Sequence, residues 1–172
     1  VMTLKKRIIG YTKSIFSYLI LFVVLSVAIN YIRSPKVDNI DISNIKLQLI
    51  DTSVLDLKSI KGEPFVLHFW GTWCPVCKQE IGNIDTVSKD YKVLGVAVKS
   101  GNNRDIKEFM RNRDLNFWVY NDSRGDLARE FNISIYPTTL IYDKRGKLRF
   151  AEVGYISRAG LYLRLLYIGL ID

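Results

Sequence analysis

Residues 64–70 read PFVLHFW, and GTWCP follows directly, bringing in Cys74 with Cys77 three positions further on. An apolar run of this length, without alternation, marks a strand buried on both faces, as parallel sheets supply. Pro75 is favoured at the first position of a helix, where its missing N–H costs nothing. Strand therefore gives way to helix inside GTWC, and no other stretch constrains the fold as much. Cys74 falls at the N-cap, its sulfur placed to accept the N–H groups of Val76 and Cys77. The positive end of the helix acts in the same sense. Both effects favour thiolate over thiol, and the thiolate is the nucleophile. Cys77 faces inward on the first turn, close enough to form a disulfide with Cys74. Attack by Cys74 on an external disulfide would give a mixed disulfide that Cys77 resolves.

Downstream, strand and helix patterns alternate. A helix is predicted over 75–89, with Ile81, Ile84 and Val87 along one side, then a buried strand over 91–98. Residues 103–113 read as a helix with Ile106, Phe109 and Met110 as its apolar stripe. A short strand over 117–120 precedes a helix over 123–131, with Leu127, Ala128 and Phe131 inward. A strand over 138–142, a turn over 143–146 and a strand over 148–153 make a hairpin. An amphipathic helix over 157–168 closes the domain. Upstream, Lys46-Leu47-Gln48-Leu49 alternates like a short edge strand, and 55–62 reads as a turn and loop. This order predicts an α/β fold: a mixed sheet with helices on both faces.

The chain has 172 residues, enough for one domain and an appendage, and 48% of them are apolar, which supports a proper core. The net charge of +8 is unevenly spread: Lys5, Lys6, Arg7, Lys13 and Arg33 occupy the first 33 residues with no acid among them. The rest, with 20 basic and 17 acidic residues, has no basic stripe suited to a nucleic acid. Two cysteines three apart are too few and too close for a secreted disulfide scaffold. A purely structural role is weak as well, because so short a loop constrains the unfolded chain little. Half a zinc site is the other option, but zinc needs three or four protein ligands, and two Cys with one His fall short of a closed set.

Residues 15–32, IFSYLILFVVLSVAINYI, contain no charge, and a helix needs roughly 20 apolar residues to cross the hydrocarbon layer. Tyr11, Tyr18 and Tyr31 lie near the ends of this run, where amphipathic rings prefer to sit. A cleaved signal peptide is the alternative, with 26–28 (SVA) as its site, although signal cores are shorter. The expected organisation is a cytoplasmic N-terminus (1–13), a transmembrane anchor (14–33), a linker (34–44) and a folded domain (45–172). By the positive-inside rule, Lys5, Lys6 and Arg7 stay in the cytoplasm. The domain then faces outward from a single-pass inner-membrane anchor.

The stretch 62–80, GEPFVLHFWGTWCPVCKQE, resembles the active-site strand and helix of the TlpA/ResA-like branch of the thioredoxin superfamily. Within that branch it is closest to the copper-sensitivity-suppressor (ScsD) type. The resemblance implies a thioredoxin-like mixed sheet, covers residues 41–172, and extends to the additional helix and strand over 99–120. It implies a protein thiol–disulfide oxidoreductase whose redox element is the Cys74–Cys77 disulfide, with no cofactor or metal. It also implies protein thiol or disulfide substrates, a membrane thiol donor of the DsbD/ScsB kind, and a monomer. Residues 135–139, IYPTT, resemble the family's cis-proline segment, in which Pro137 packs against Cys74 and the Tyr136 backbone holds substrate. Trp73, Pro75, Val76 and Tyr136 are the expected substrate surface. Trp70 is expected to shield the disulfide or to pack in the core.

Two residues are candidates for proton handling. Glu80, in the pattern CKQE, is expected to tune a cysteine or carry a proton, or else to be an ordinary acid early in the helix. Gly82 stands where the family often has a kinking proline. His68 lies six residues before Cys74, where thioredoxins carry a buried aspartate. It is expected to face Cys77 and relay that thiol's proton, or else to be a satisfied buried histidine. Val76 offers no charge and Pro75 no N–H to Cys74, which favours a reductase over an oxidase. A thioredoxin-fold copper chaperone without redox turnover is the rival from another class, though such carriers use a wider cysteine spacing and a distant histidine. A peroxidase does not use this helix start for its nucleophile.

Overall fold

The computed structural model describes residues 42–171 together with Ser17, Tyr18, Ile20, Leu21, Val24 and Leu25, which are helical. Two compact units result, Val1–Ser34 and Pro35–Asp172. Most of the anchor expected over 14–33 lies outside the described residues. Among the described residues, no helix is long and apolar enough to cross a membrane.

A 3-10 turn at Ile42–Asn44 leads into a two-stranded antiparallel hairpin of β1 (Lys46–Gln48) and β2 (Val54–Asp56). The alternation at 46–49 thus marks a strand, but one outside the main sheet, linked to it by a bridge from Leu49 to Tyr120. Part of the predicted loop over 55–62 is β2. The turn between these strands forms because Asp51 accepts the Ser53 N–H at 2.9 Å while Thr52 takes φ 79°. Ile42, in the stretch read as a linker, is 1% exposed and belongs to the core.

The main sheet runs β5-β4-β3-β6-β7. It comprises β3 (Phe65–Trp70), β4 (Lys92–Val98), β5 (Trp118–Asp122), β6 (Thr138–Tyr142) and β7 (Leu148–Val153). β3 pairs in parallel with β4, and β4 with β5; β6 runs antiparallel to β3, and β7 to β6. The sheet is mixed, as the strand–helix alternation and terminal hairpin predicted. Four helices follow the strands: α1 (Pro75–Val87), α2 (Asn103–Arg111), α3 (Asp126–Glu130) and α4 (Arg158–Ile171). α1 stops two residues before the predicted end, and α4 runs three beyond it. α3 is much shorter than the helix predicted over 123–131. Gly125 adopts φ 75°, outside the helical region, and the buried Asp122 carboxylate accepts the N–H groups of Leu127 and Ala128, so the helix begins only after that turn.

All six residues of β3 are buried, and they alternate between two cores. Phe65, Leu67 and Phe69 join Leu94, Val96, Leu127, Phe131 and Leu140 on one face. Val66 and Trp70 join Cys77, Ile81, Ile84, Ile106, Leu161 and Leu165 on the other, under α1, α2 and α4. The alternation assigns His68 to this second face. Trp70 is fully buried core, not part of a surface over the disulfide.

Candidate active site

The turn 71–74 carries the chain from the C-terminal end of β3 into α1, with the Cys74 N–H donating to the Gly71 carbonyl at 3.1 Å. Cys74 is the N-cap in extended conformation, φ −87° and ψ 116°, and Pro75 opens the helix. The Cys77 N–H donates to Cys74 Sγ at 3.1 Å. Of the two amides expected to serve that sulfur, this is the one at hydrogen-bond distance. Cys74 and Cys77 are joined in a disulfide with a Cα–Cα distance of 5.2 Å. Cys77 is wholly buried, whereas Cys74 retains 4% exposure and is the sulfur a partner can approach.

Across from Cys74 stands the loop before β6. The Tyr136–Pro137 peptide is cis, and the Tyr136 carbonyl oxygen lies 3.8 Å from Cys74 Sγ. In the disulfide this is a contact; in the dithiol the same oxygen can accept the Cys74 S–H. Trp73, half exposed, meets the Tyr136 ring edge-on at 5.5 Å, and its indole N–H donates to the Val98 carbonyl at 3.0 Å. Val76 is 40% exposed and Ile135 45%. Together with exposed Pro75 they offer a mostly apolar, uncharged rim around a single accessible sulfur.

Behind the disulfide the surroundings are buried and short of partners. Glu80 follows Cys77 by three positions, so the two share a helix face. It is fully buried, and neither carboxylate oxygen has a hydrogen-bond partner. Burial pushes its pKa up to about 8, with the backbone N–H of Ile156 opposing this only weakly from outside hydrogen-bond geometry. Glu80 is therefore no ordinary surface acid at a helix start. Gly82, at the place of the family's proline, leaves α1 continuous through Val87. His68 places Nδ1 3.0 Å from Thr139 Oγ1, its antiparallel neighbour on β6, while Nε2 has no partner. Burial pushes its pKa down to about 3, so the ring is neutral at physiological pH. Thr139 was not singled out from the sequence, because only the register of β3 on β6 puts it beside position 68.

Among the described residues, no group of three or more His, Cys, Asp and Glu is placed to hold a metal ion.

The AhpC/TSA family pattern matches residues 41–151, well over half of the chain. The chain belongs to the AhpC/TSA family. Within the wider circle of this AhpC/TSA protein, a thioredoxin-like protein of Haemophilus influenzae is 32% identical over 157 residues, spanning 90% of this chain and 93% of its own. The thiol-disulfide oxidoreductase ResA of Bacillus subtilis is 28% identical over 126 residues, 71% of this chain and 70% of its own. Among solved structures, the pneumococcal exposed lipoprotein thioredoxin Etrx1 of Streptococcus pneumoniae superposes with a TM-score of 0.64 at 26% identity. It covers 72% of this chain and 98% of its own. The fold is thioredoxin-like, and the expected resemblance to the ResA branch holds.

Proposed function

We propose that this chain, a thioredoxin-fold thiol–disulfide oxidoreductase, reduces disulfides of exported proteins from the outer side of a membrane to which residues 14–33 anchor it. The observation that carries the exchange chemistry is Cys74 Sγ at a helix start, bonded to Cys77 and facing the Tyr136 carbonyl ahead of cis Pro137.

In the dithiol, Cys74 ionises with help from the Cys77 N–H and the helix end. Its thiolate attacks one sulfur of a substrate disulfide, and the other substrate sulfur leaves as a thiolate and takes up a proton. The substrate lies along the Trp73, Pro75, Val76 and Tyr136 rim while the chain before Pro137 aligns it. Cys77 then attacks Cys74, releasing the second substrate thiol and restoring the disulfide. Two electrons pass from the dithiol to the substrate. The Cys77 proton needs an acceptor, and Glu80, with a pKa of about 8, is close in acidity to an ordinary thiol at about 8.5. His68, at about 3, is a far weaker base, so its place is to hold Thr139 and the β3–β6 register.

What surrounds Cys74 supports that direction. One amide, no imidazole and no cation at Val76 stabilise its thiolate only modestly, which favours donation of electrons. A membrane thiol donor of the DsbD/ScsB kind would return the pair to the dithiol. The exported location is supported by the uncharged run over 15–32 and by the exposed lipoprotein among the structural neighbours.

The reduction potential of the full chain, equilibrated against glutathione buffers, tests the direction. A value near that of thioredoxin, about −270 mV, is expected; one near that of DsbA, about −120 mV, would mark an oxidant. Retention in carbonate-washed membranes with residues 1–28 intact by mass tests the anchor.

A further inference from the structure

The loop after β4 makes contacts that thiol exchange does not itself require. Lys99 sits at φ 47°, a left-handed conformation uncommon for a residue with a side chain, and its N–H donates to the Asp122 carbonyl at 3.0 Å. That curl returns the Ser100 hydroxyl to the end of its own strand. There it donates to the Val98 carbonyl at 3.1 Å and accepts the Thr72 N–H at 3.0 Å. The Val98 carbonyl also accepts the Trp73 indole N–H. Ser100 is 5% exposed, so water is poorly placed to substitute for it.

The indole is held from the other side as well. A Cβ on Gly71 would stand 2.6 Å from Trp73 Cε2 and Nε1, so the ring lies where only glycine leaves room. Its edge then meets the Tyr136 ring beside Cys74. One buried hydroxyl thus ties the turn before the nucleophile to the carbonyl that anchors the indole. We propose that Ser100 is a positioning residue that fixes Trp73 as a rigid wall of the substrate surface, so that a protein disulfide meets it already in place.

The physical reason lies in ordering. A half-exposed tryptophan free to change rotamer must be immobilised when a polypeptide docks on it, and that cost falls on binding. A small disulfide that touches only Cys74 does not meet this wall. Ser100 therefore affects the KM for protein substrates and leaves the chemical step alone.

This inference rests on the proposed function, and one experiment separates the two. The full chain in detergent is assayed on insulin with dithiothreitol as recycling reductant, and on dithionitrobenzoate in a single turnover of the pre-reduced chain freed of dithiothreitol. Ser100→Ala should raise the KM for insulin about fivefold, the order of one lost neutral hydrogen bond. The kcat for insulin and the rate on dithionitrobenzoate should be unchanged, and Ser100→Thr, which keeps the hydroxyl, should restore the KM. Trp73→Phe, lacking the indole N–H, should raise the same KM, and adding Ser100→Ala to it should change little further, because both act through one contact. Equal losses on both substrates, an unchanged KM, or full additivity with Trp73→Phe would overturn the assignment of Ser100. Failure of the unaltered chain to reduce insulin would overturn the proposed function instead.

Discussion

Two of the buried carboxyl groups, Asp143 and Glu80, behave in opposite ways. Asp143 sits in the turn between β6 and β7. Burial would raise its pKa, but the Lys147 N–H, the Arg149 guanidinium and the Arg145 N–H outweigh that and hold it below the usual carboxylate range. Glu80 sits inside α1, where neighbouring amides are already spent on helical hydrogen bonds. Among the described residues no donor meets hydrogen-bond geometry with it, the Ile156 N–H opposes the shift without reversing it, and burial carries it up to about 8. A turn offers free N–H groups and a helix interior does not. Donors at the turn therefore keep one carboxyl charged at the hairpin, while deeper burial without them makes the other, in the proposed mechanism, a proton store behind a cysteine.

The largest effects are expected at the sulfurs that the proton store would serve. Cys77→Ser should abolish turnover and leave substrate trapped on Cys74, visible as a mixed disulfide on a non-reducing gel. Release without trapping would remove the need for any resolving thiol, and with it the proposed task of Glu80. Glu80→Gln should slow release of the mixed disulfide about 100-fold near neutral pH, the lower end of general acid–base effects, as measured by stopped-flow fluorescence.

Stability gives the same two carboxyl groups opposite signs. Glu80 has a pKa raised in the folded chain, so between its unfolded value of 4.5 and about 8 the native state binds more protons. Stability of the oxidised protein should therefore fall as pH rises through that window. Glu80→Gln should flatten the slope, in melts at pH 5 and 8. Asp143 has a lowered pKa, so its contribution is present above the unfolded value of 3.8 and is lost as pH falls through the folded one. Asp143→Asn should cost about 2 kcal/mol, since charged hydrogen bonds are lost while their buried donors remain. That should lower Tm by several degrees at pH 7 with an unchanged reduction potential. The smallest effect is expected at His68. With its pKa pushed down to about 3, His68→Asn should leave resolution rates within about twofold from pH 5 to 8. A rate that loses its pH dependence would return the proton to the imidazole.

Much of this architecture can be read from local pattern. The uninterrupted apolar strand, Pro75 after Cys74 and the hairpin turn at 143–146 place β3, α1 and the β6–β7 pair with little error, because each depends on neighbours in sequence. Where the pattern misled, distant groups intervened. The helix over 123–131 was cut short by the Asp122 carboxylate and Gly125, and the alternation at 46–49 found its partner in β2 instead of the main sheet. The cis peptide before Pro137 came from resemblance, since nothing in the dipeptide demands it.

At the site the division is similar. Two cysteines across one helical turn, with a proline between, determine by themselves that a sulfur meets the first free amides of a helix. Covalent spacing and backbone geometry suffice for that. Which sulfur stays reachable, what faces it across the sheet, and whether Glu80 keeps its proton were decided only when β6, the loop after β4 and α4 closed over the turn. Those properties depend on water being excluded and on donors supplied from residues far along the chain, and no local pattern records either.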